Sequence, residues 1–148
     1  MNFDKTHFMQ FTIKTSPHTD LDISYANKLI YKFYDTKFLG LYVDSTLSWR
    51  NHVEQIIHKL SAACYAMRSV KPFMSQETLK IVYYSYFQSI INCGLIFWGK
   101  SLHSALIFNI QKNMIRIITG CGHKDSCRDL FKNLKVLPFQ SQYVPLLL

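Results

Sequence analysis

Residues 48–67, SWRNHVEQIIHKLSAACYAM, separate two different kinds of sequence and decide the fold class. Within them the apolar side chains recur at intervals of three and four, which places them on one face of an α-helix. These residues are Trp49, Val53, Ile56, Ile57, Leu60, Cys64 and Met67. Ser48 is a favoured residue type for a helix N-cap, and Pro72 ends the pattern. The stretch therefore predicts a long amphipathic helix whose apolar face lies in the core.

The residues before this helix have the alternating pattern of short strands. Residues 8–14 are rich in aromatic and β-branched side chains and alternate between two faces, so they predict a strand. Two runs with strand-like composition flank the pair Ala26-Asn27, which predicts a β-hairpin. Residues 37–44 predict a further apolar strand, with a bulge or a close backbone approach at Gly40.

Three further helices are predicted after the first. Ser75 is a favoured N-cap and starts the second of them. The third covers about residues 104–119, and Gly120 provides its C-terminal stop. A short fourth helix is predicted around residues 125–134. The helices after the first are therefore bounded by recognisable start and stop residues.

The chain thus has two parts that differ in both structure and charge. We predict an α+β fold in which small antiparallel strands in residues 1–47 precede a helical bundle in residues 48–148. The net charge is +8, but residues 1–58 carry six basic and six acidic side chains. Residues 59–148 carry eleven basic and three acidic side chains, so the whole excess lies there. A basic, aromatic-rich region indicates a polyanionic partner such as nucleic acid, and the alternative is a solubilising positive face.

Cysteine usage and hydropathy bear on the compartment. The four cysteines stand at irregular spacings, and the N-terminus carries charges where a signal peptide would be apolar. We therefore expect a reduced intracellular setting, the cytoplasm or the nucleus.

Residues 81–99, from Ile81 to Gly99, contain no charge and are long enough to span a bilayer. Their three Tyr, two Ser, Gln88 and Asn92 favour a buried helix, and a small helical membrane protein is the alternative.

Motifs for self-contained chemistry are few. The sequence has no Gly-x-Gly-x-x-Gly, no Gly-x-Ser-x-Gly and no His-Glu-x-x-His pattern. Cys121, His123 and Cys127 could supply three ligands to zinc, but a fourth ligand at normal spacing is missing. Asp44 has no near acidic partner for two-metal chemistry, so a role in a turn or a helix cap is the alternative. We therefore predict no metal site and no catalytic residue in this chain.

Six segments resemble, in the same order, the C-terminal part of the reverse transcriptase of non-LTR retrotransposons of the jockey type. Residues 2–11, NFDKTHFMQF, resemble the family's Asn-x-x-Lys-Thr box and the strand that follows it. Residues 37–52, KFLGLYVDSTLSWRNH, resemble its primer-grip hairpin and the entry to the thumb. The other four segments are residues 62–68, 83–87, 94–99 and 125–131. The resemblance covers almost the whole chain.

The resemblance implies a palm edge and primer grip in residues 1–47, a thumb and following helices in residues 48–148, and an RNA or RNA/DNA primer-template as partner. Lys5 matches the family's lysine near the nucleotide phosphates, where a cation can offset charge on the leaving pyrophosphate. Leu39 and Gly40 would bring backbone close to the primer strand. The phosphate contacts expected along the thumb involve Lys59, Arg68, Lys71, Lys112 and Arg116.

The sequence also departs from the family in the residues that carry catalysis. The family resembles other polymerases in holding two magnesium ions with an early palm Asp and a Tyr-x-Asp-Asp turn. This sequence contains no Asp-Asp dipeptide. We therefore expect a fragment that is inactive as a polymerase alone, uses no cofactor and has no small-molecule substrate. An inert or repurposed retroelement remnant that only binds nucleic acid is the alternative.

Overall fold

Five short strands form two small sheets ahead of the helices. The computed structural model describes residues 6–12, 21–122 and 125–143. The first sheet has the strand order β1-β3-β2, and the second pairs β4 with β5. The strands are β1 His7–Phe8, β2 Ile23–Tyr25, β3 Lys28–Lys32, β4 Asp35–Phe38 and β5 Leu41–Asp44. The expected α+β order of strands followed by helices is confirmed.

Two tight hairpins account for four of the strands. Ala26 and Asn27 have φ values of 50° and 57°, so both central residues of the β2–β3 turn are left-handed, as a type I′ turn requires. This hairpin is confirmed. Leu39 at φ 48° and Gly40 at φ 84° form the equivalent turn between β4 and β5. The prediction of one strand with a bulge at Gly40 is therefore wrong, because the glycine lies in a turn.

The first sheet also differs from the antiparallel arrangement that we expected. β1 pairs with β3 in parallel, with His7 opposite Tyr31 and Phe8 opposite Lys32. Parallel and antiparallel strands share the same two-residue side-chain period, so alternation along the sequence contains no information on direction. β1 is also shorter than predicted, since residues 9–12 lie outside any strand and residues 13–14 lie outside the described residues.

The helical part contains the predicted helices, the second of them divided into two, together with a short C-terminal helix that was not predicted. The helices are α1 Arg50–Val70, α2 Gln76–Val82, α3 Gln88–Asn92, α4 Leu95–Trp98, α5 Ser104–Thr119, α6 Cys127–Leu134 and α7 Phe139–Tyr143. A 3-10 turn, Lys71–Phe73, ends α1 next to Pro72. Ser75 caps α2 by accepting a hydrogen bond from the Thr78 amide, and Gly120 at φ 76° ends α5. These start and stop signals are confirmed.

The core is built by the helices. Every buried apolar residue in the described chain lies at Val53 or later, and α1 packs along α5 through its predicted apolar face. β5 is linked to this core by a hydrogen bond in which the Tyr42 amide donates to Nδ1 of the buried His52 at 3.3 Å. Gly94 allows a second close approach, because a Cβ there would lie 2.4 Å from Leu41 Cδ2. The second sheet is therefore attached to the start of α1.

The uncharged stretch 81–99 is a broken helix in the structure. A π-helical turn, Tyr83–Phe87, links α2 to α3, and the chain then turns at Cys93 and Gly94 before α4. Tyr83, Phe87 and Trp98 are fully buried, in agreement with the predicted core helix. Within the described residues, no helix has both the length and the apolar character needed to cross a membrane.

Candidate nucleic-acid interface

The C-terminal ends of α1 and α5 meet and bring three predicted phosphate contacts together. Arg68 lies in the last turn of α1, Lys71 follows in the 3-10 turn, and Arg116 lies in the last turn of α5. They surround a cleft of about 340 Å³, which we name the helix-end cleft. Its lining residues are Arg68, Lys71, Asn113, Arg116, Ile117, Gly120 and Cys121.

Hydrogen bonds hold the two guanidinium groups at the edge of this cleft. Nη2 of Arg68 donates to Asn113 Oδ1 at 3.2 Å, which links α1 to α5. Nη2 of Arg116 donates to the Asp125 carbonyl at 3.1 Å, while its buried Nε has no hydrogen-bond partner in the described chain. Each arginine therefore keeps N–H groups that these contacts do not use.

Gly120 makes room for the third cation. A Cβ on this residue would lie 3.1 Å from Lys71 Nζ, so the ammonium group rests directly over the glycine. Gly120 therefore serves both as the stop of α5, with its φ of 76°, and as the floor beneath Lys71. The sequence indicates the first role alone.

Among the described residues, no acidic side chain lines the helix-end cleft, so none of them neutralises its positive charge from within. The salt bridge found among the described residues joins Arg50 and Glu54 at 3.0 Å and involves none of the three cations. Asp125 follows the cleft residue Cys121 by four positions but does not line the cleft. Its carboxylate accepts a hydrogen bond from the Gly122 amide at 2.7 Å. The negative ends of two helix dipoles also stabilise basic residues here, which is the structural explanation for part of this charge. Three cations around one open cleft can in addition bind phosphate groups by charge and hydrogen bonds.

The other predicted contacts lie elsewhere. Lys59 is exposed nine residues before Arg68, which places it on the opposite face of α1. Nζ of Lys112 lies 4.6 Å from the centre of the Phe108 ring and faces a different cleft. Leu39 and Gly40 form the exposed tip of the β4–β5 hairpin and do not line the helix-end cleft. Lys5 lies outside the described residues.

The acid that we considered for metal chemistry has a structural role instead. The Asp44 carboxylate accepts hydrogen bonds from the backbone and the hydroxyl groups of Thr46 and Ser48, and from the Trp49 amide. Burial raises its pKa, but the hydrogen bonds from Thr46 and Ser48 outweigh this effect and lower the pKa from 3.8 to about 2. Asp44 thus organises the turn before α1, and its alternative role as a turn residue is confirmed. The prediction of Ser48 as the N-cap of α1 is wrong, because Trp49 takes that position.

The four cysteines lie in different surroundings. Cys64 and Cys127 are buried, Cys121 lines the helix-end cleft, and Cys93 is exposed. Burial raises the pKa of Cys64 to about 11, although the charge of Arg68 opposes the shift. Within the described part of the chain, which leaves out His123, no three His, Cys, Asp or Glu side chains are placed to hold a metal ion.

One stretch of the sequence matches the spacing of a nucleotide-binding loop but does not have the structure of one. Residues 94–101, GLIFWGKS, fit the P-loop spacing Gly-x-x-x-x-Gly-Lys-Ser. A P-loop follows a strand and leaves its amides free for phosphates, whereas these residues contain the helical turn α4. The amides of Phe97, Gly99 and Ser101 donate to carbonyls within the segment at 2.8 to 2.9 Å. The segment therefore cannot hold a nucleotide in the P-loop manner.

Comparison with known proteins identifies no relative. No protein-family model matches the chain, and the searches of curated proteins and of solved structures found no match either.

Proposed function

We propose that this chain is part of an RNA-directed DNA polymerase, the reverse transcriptase of a non-LTR retrotransposon of the jockey type. The support is the order of six family-like segments in the sequence, together with a strand-to-helix order that suits a primer grip followed by a thumb. The β4–β5 hairpin, with Leu39 and Gly40 at its tip, corresponds to the primer grip in this proposal. The magnesium-binding aspartates would belong to a part of the enzyme that this sequence does not contain.

The function of this part is to hold an RNA or an RNA/DNA primer-template through its phosphates. The observation that carries the proposal is the helix-end cleft, where Arg68, Lys71 and Arg116 converge and no carboxylate of the described chain lines the surface. Phosphate contacts provide affinity without reading the base sequence. Binding is therefore independent of sequence and depends steeply on salt, because each contact releases counterions.

The test is a binding titration of the full chain with a short RNA–DNA hybrid at several salt concentrations. Replacing Arg68 by Gln removes one phosphate contact. We expect Arg68→Gln to weaken binding equally for unrelated sequences and to lower the slope of log affinity against log salt by about 1.

Lys100→Gln is the matched control, because Lys100 is exposed and lies outside the helix-end cleft. It removes the same charge and should leave the slope almost unchanged. Equal effects of the two variants would assign binding to net charge rather than to the cleft. Absence of binding at low salt would reject the proposed role.

A further inference from the structure

A second cleft lies between α5, α6 and the segment that leads into α7. Its volume is about 710 Å³, within the range of sites for small organic ligands. We name it the α6 cleft. Its apolar floor is formed by Phe108, Phe131 and Val136.

The rim of the α6 cleft carries a concentrated positive charge. Arg128, Lys132 and Lys135 follow one another at spacings of four and three, and so share one side of α6 and its C-cap. Lys112 adds a fourth cation from α5. No acidic residue is among those that line this cleft, and none of the four cations forms a salt bridge within the described residues.

The arrangement of the two rings argues against a nucleobase as the ligand. Phe108 and Phe131 stack on each other with centroids 6.2 Å apart, and Phe131 is almost fully buried. Lys112 Nζ lies over the Phe108 ring at 4.6 Å from its centre. Phe131 and Lys112 thus both contact the Phe108 ring, and the burial of Phe131 leaves little of its ring for a base to stack on. Beside the two rings, Val136 and half-exposed Leu137 provide an aliphatic surface that extends toward solvent.

We propose that the α6 cleft binds an aliphatic organic anion, a ligand with a hydrocarbon chain and a carboxylate or phosphate head group. The chain lies on the apolar floor, and the head group is held by Lys132 and its basic neighbours on the rim. Charge complementarity decides the class, because an apolar cleft ringed by four cations and free of acids favours a ligand that is both apolar and negatively charged. The ligand is bound and not converted, and its site is separate from the helix-end cleft.

The test is isothermal titration calorimetry of the full chain with sodium decanoate below its micelle concentration. We expect decanoate to bind with a stoichiometry of one. Sodium acetate carries the charge without the chain, and decanol carries the chain without the charge, so each should bind at least about tenfold more weakly. Acetate or decanol binding as tightly as decanoate would overturn the proposal, as would an absence of decanoate binding.

Two variants locate the site. Lys132→Gln should weaken decanoate binding about tenfold by removing a head-group contact. Ser141→Trp places a large ring into the cleft from an exposed position on α7 and should abolish binding without disturbing the core. Unchanged affinity in both variants would show that decanoate binds elsewhere and would overturn the proposal.

Arg68→Gln separates this inference from the proposed function. That variant should leave decanoate binding unchanged while it weakens binding to the RNA–DNA hybrid. If an acidic peptide bound the α6 cleft and decanoate did not, the site would belong to a protein partner, and the small-anion proposal would be overturned.

Discussion

At the scale of single residues, Asp44 connects the strands to the first long helix. One carboxylate receives five hydrogen bonds from the turn before α1. Asp44→Asn turns one acceptor atom into a donor that faces other donors. We expect a loss of about 1–3 kcal/mol in the free energy of unfolding, measured by urea denaturation near neutral pH.

The same carboxylate predicts how stability depends on acid. Its pKa is about 2 in the folded protein and 3.8 as the ordinary value, so the folded state binds fewer protons between these values. The contribution of Asp44 is complete above about pH 4 and is lost as the pH falls toward 2. Asp44→Asn should lack this part of the acid transition, whereas Asp35→Asn, on the exposed strand β4, should retain it.

His52 predicts a second pH dependence at higher pH. Burial lowers its pKa from 6.5, with repulsion by Lys59 as a smaller cause, and its Nδ1 accepts from the Tyr42 amide. Protonation of the folded protein is therefore disfavoured and removes this acceptor. Stability should be complete above about pH 6.5 and should decline as the pH falls below it.

Thermal unfolding between about pH 5 and pH 8 checks this expectation. His52→Gln keeps an acceptor without a titrating group, so its melting temperature should vary less with pH than that of the natural chain. His58→Gln is the control, because His58 is exposed on the same helix. A variant at His52 with the full pH dependence would contradict the assignment.

At the scale of elements, the packing of α1 against α5 holds the helical part together and forms the helix-end cleft. Leu60 is completely buried in this interface. Leu60→Ala should therefore lower the free energy of unfolding by about 2–5 kcal/mol, through lost burial and a residual cavity. Chemical denaturation measures the effect. Leu102→Ala, at a position that is 96% exposed, should change stability very little, and equal losses would mean that the bundle is not tightly packed.

The same elements show how far the sequence predicts the molecule. The third predicted helix, residues 104–119, coincides with α5, because a clear apolar period is followed by Gly120, a strong stop. The resemblance implied a hairpin within residues 37–52, but the strand pattern alone did not place a turn at Leu39 and Gly40, because leucine rarely adopts a positive φ. The helix-end cleft depends on Arg68 meeting Asn113 across 45 positions of sequence, and local spacing contains no information about such a contact. Tertiary packing alone selects which of the basic residues come together.

At the scale of the whole molecule, the two sheets differ in their relation to the core. β5 reaches it through Leu41, Tyr42 and Asp44, whereas the first sheet exposes large side chains and contributes none to the buried core. These exposed residues include Tyr25, Leu29 and Tyr31. Exposed strands with apolar side chains promote aggregation. The first sheet should therefore limit solubility, while the second should add stability.

Two shortened chains separate these effects. A chain that begins at Asp35 keeps β4 and β5, so it should be more soluble than the full chain and should unfold cooperatively at a similar temperature. A chain that begins at Ser48 loses the Asp44 turn, the Tyr42–His52 hydrogen bond and the contact of Leu41 with Gly94, so its melting temperature should fall by several degrees. Soluble yield and thermal unfolding of the three chains measure both properties. If removal of residues 1–34 lowered the melting temperature as much as removal of residues 1–47, the first sheet would be part of the folded core, and the helices together with β5 would not form the stable unit of this molecule.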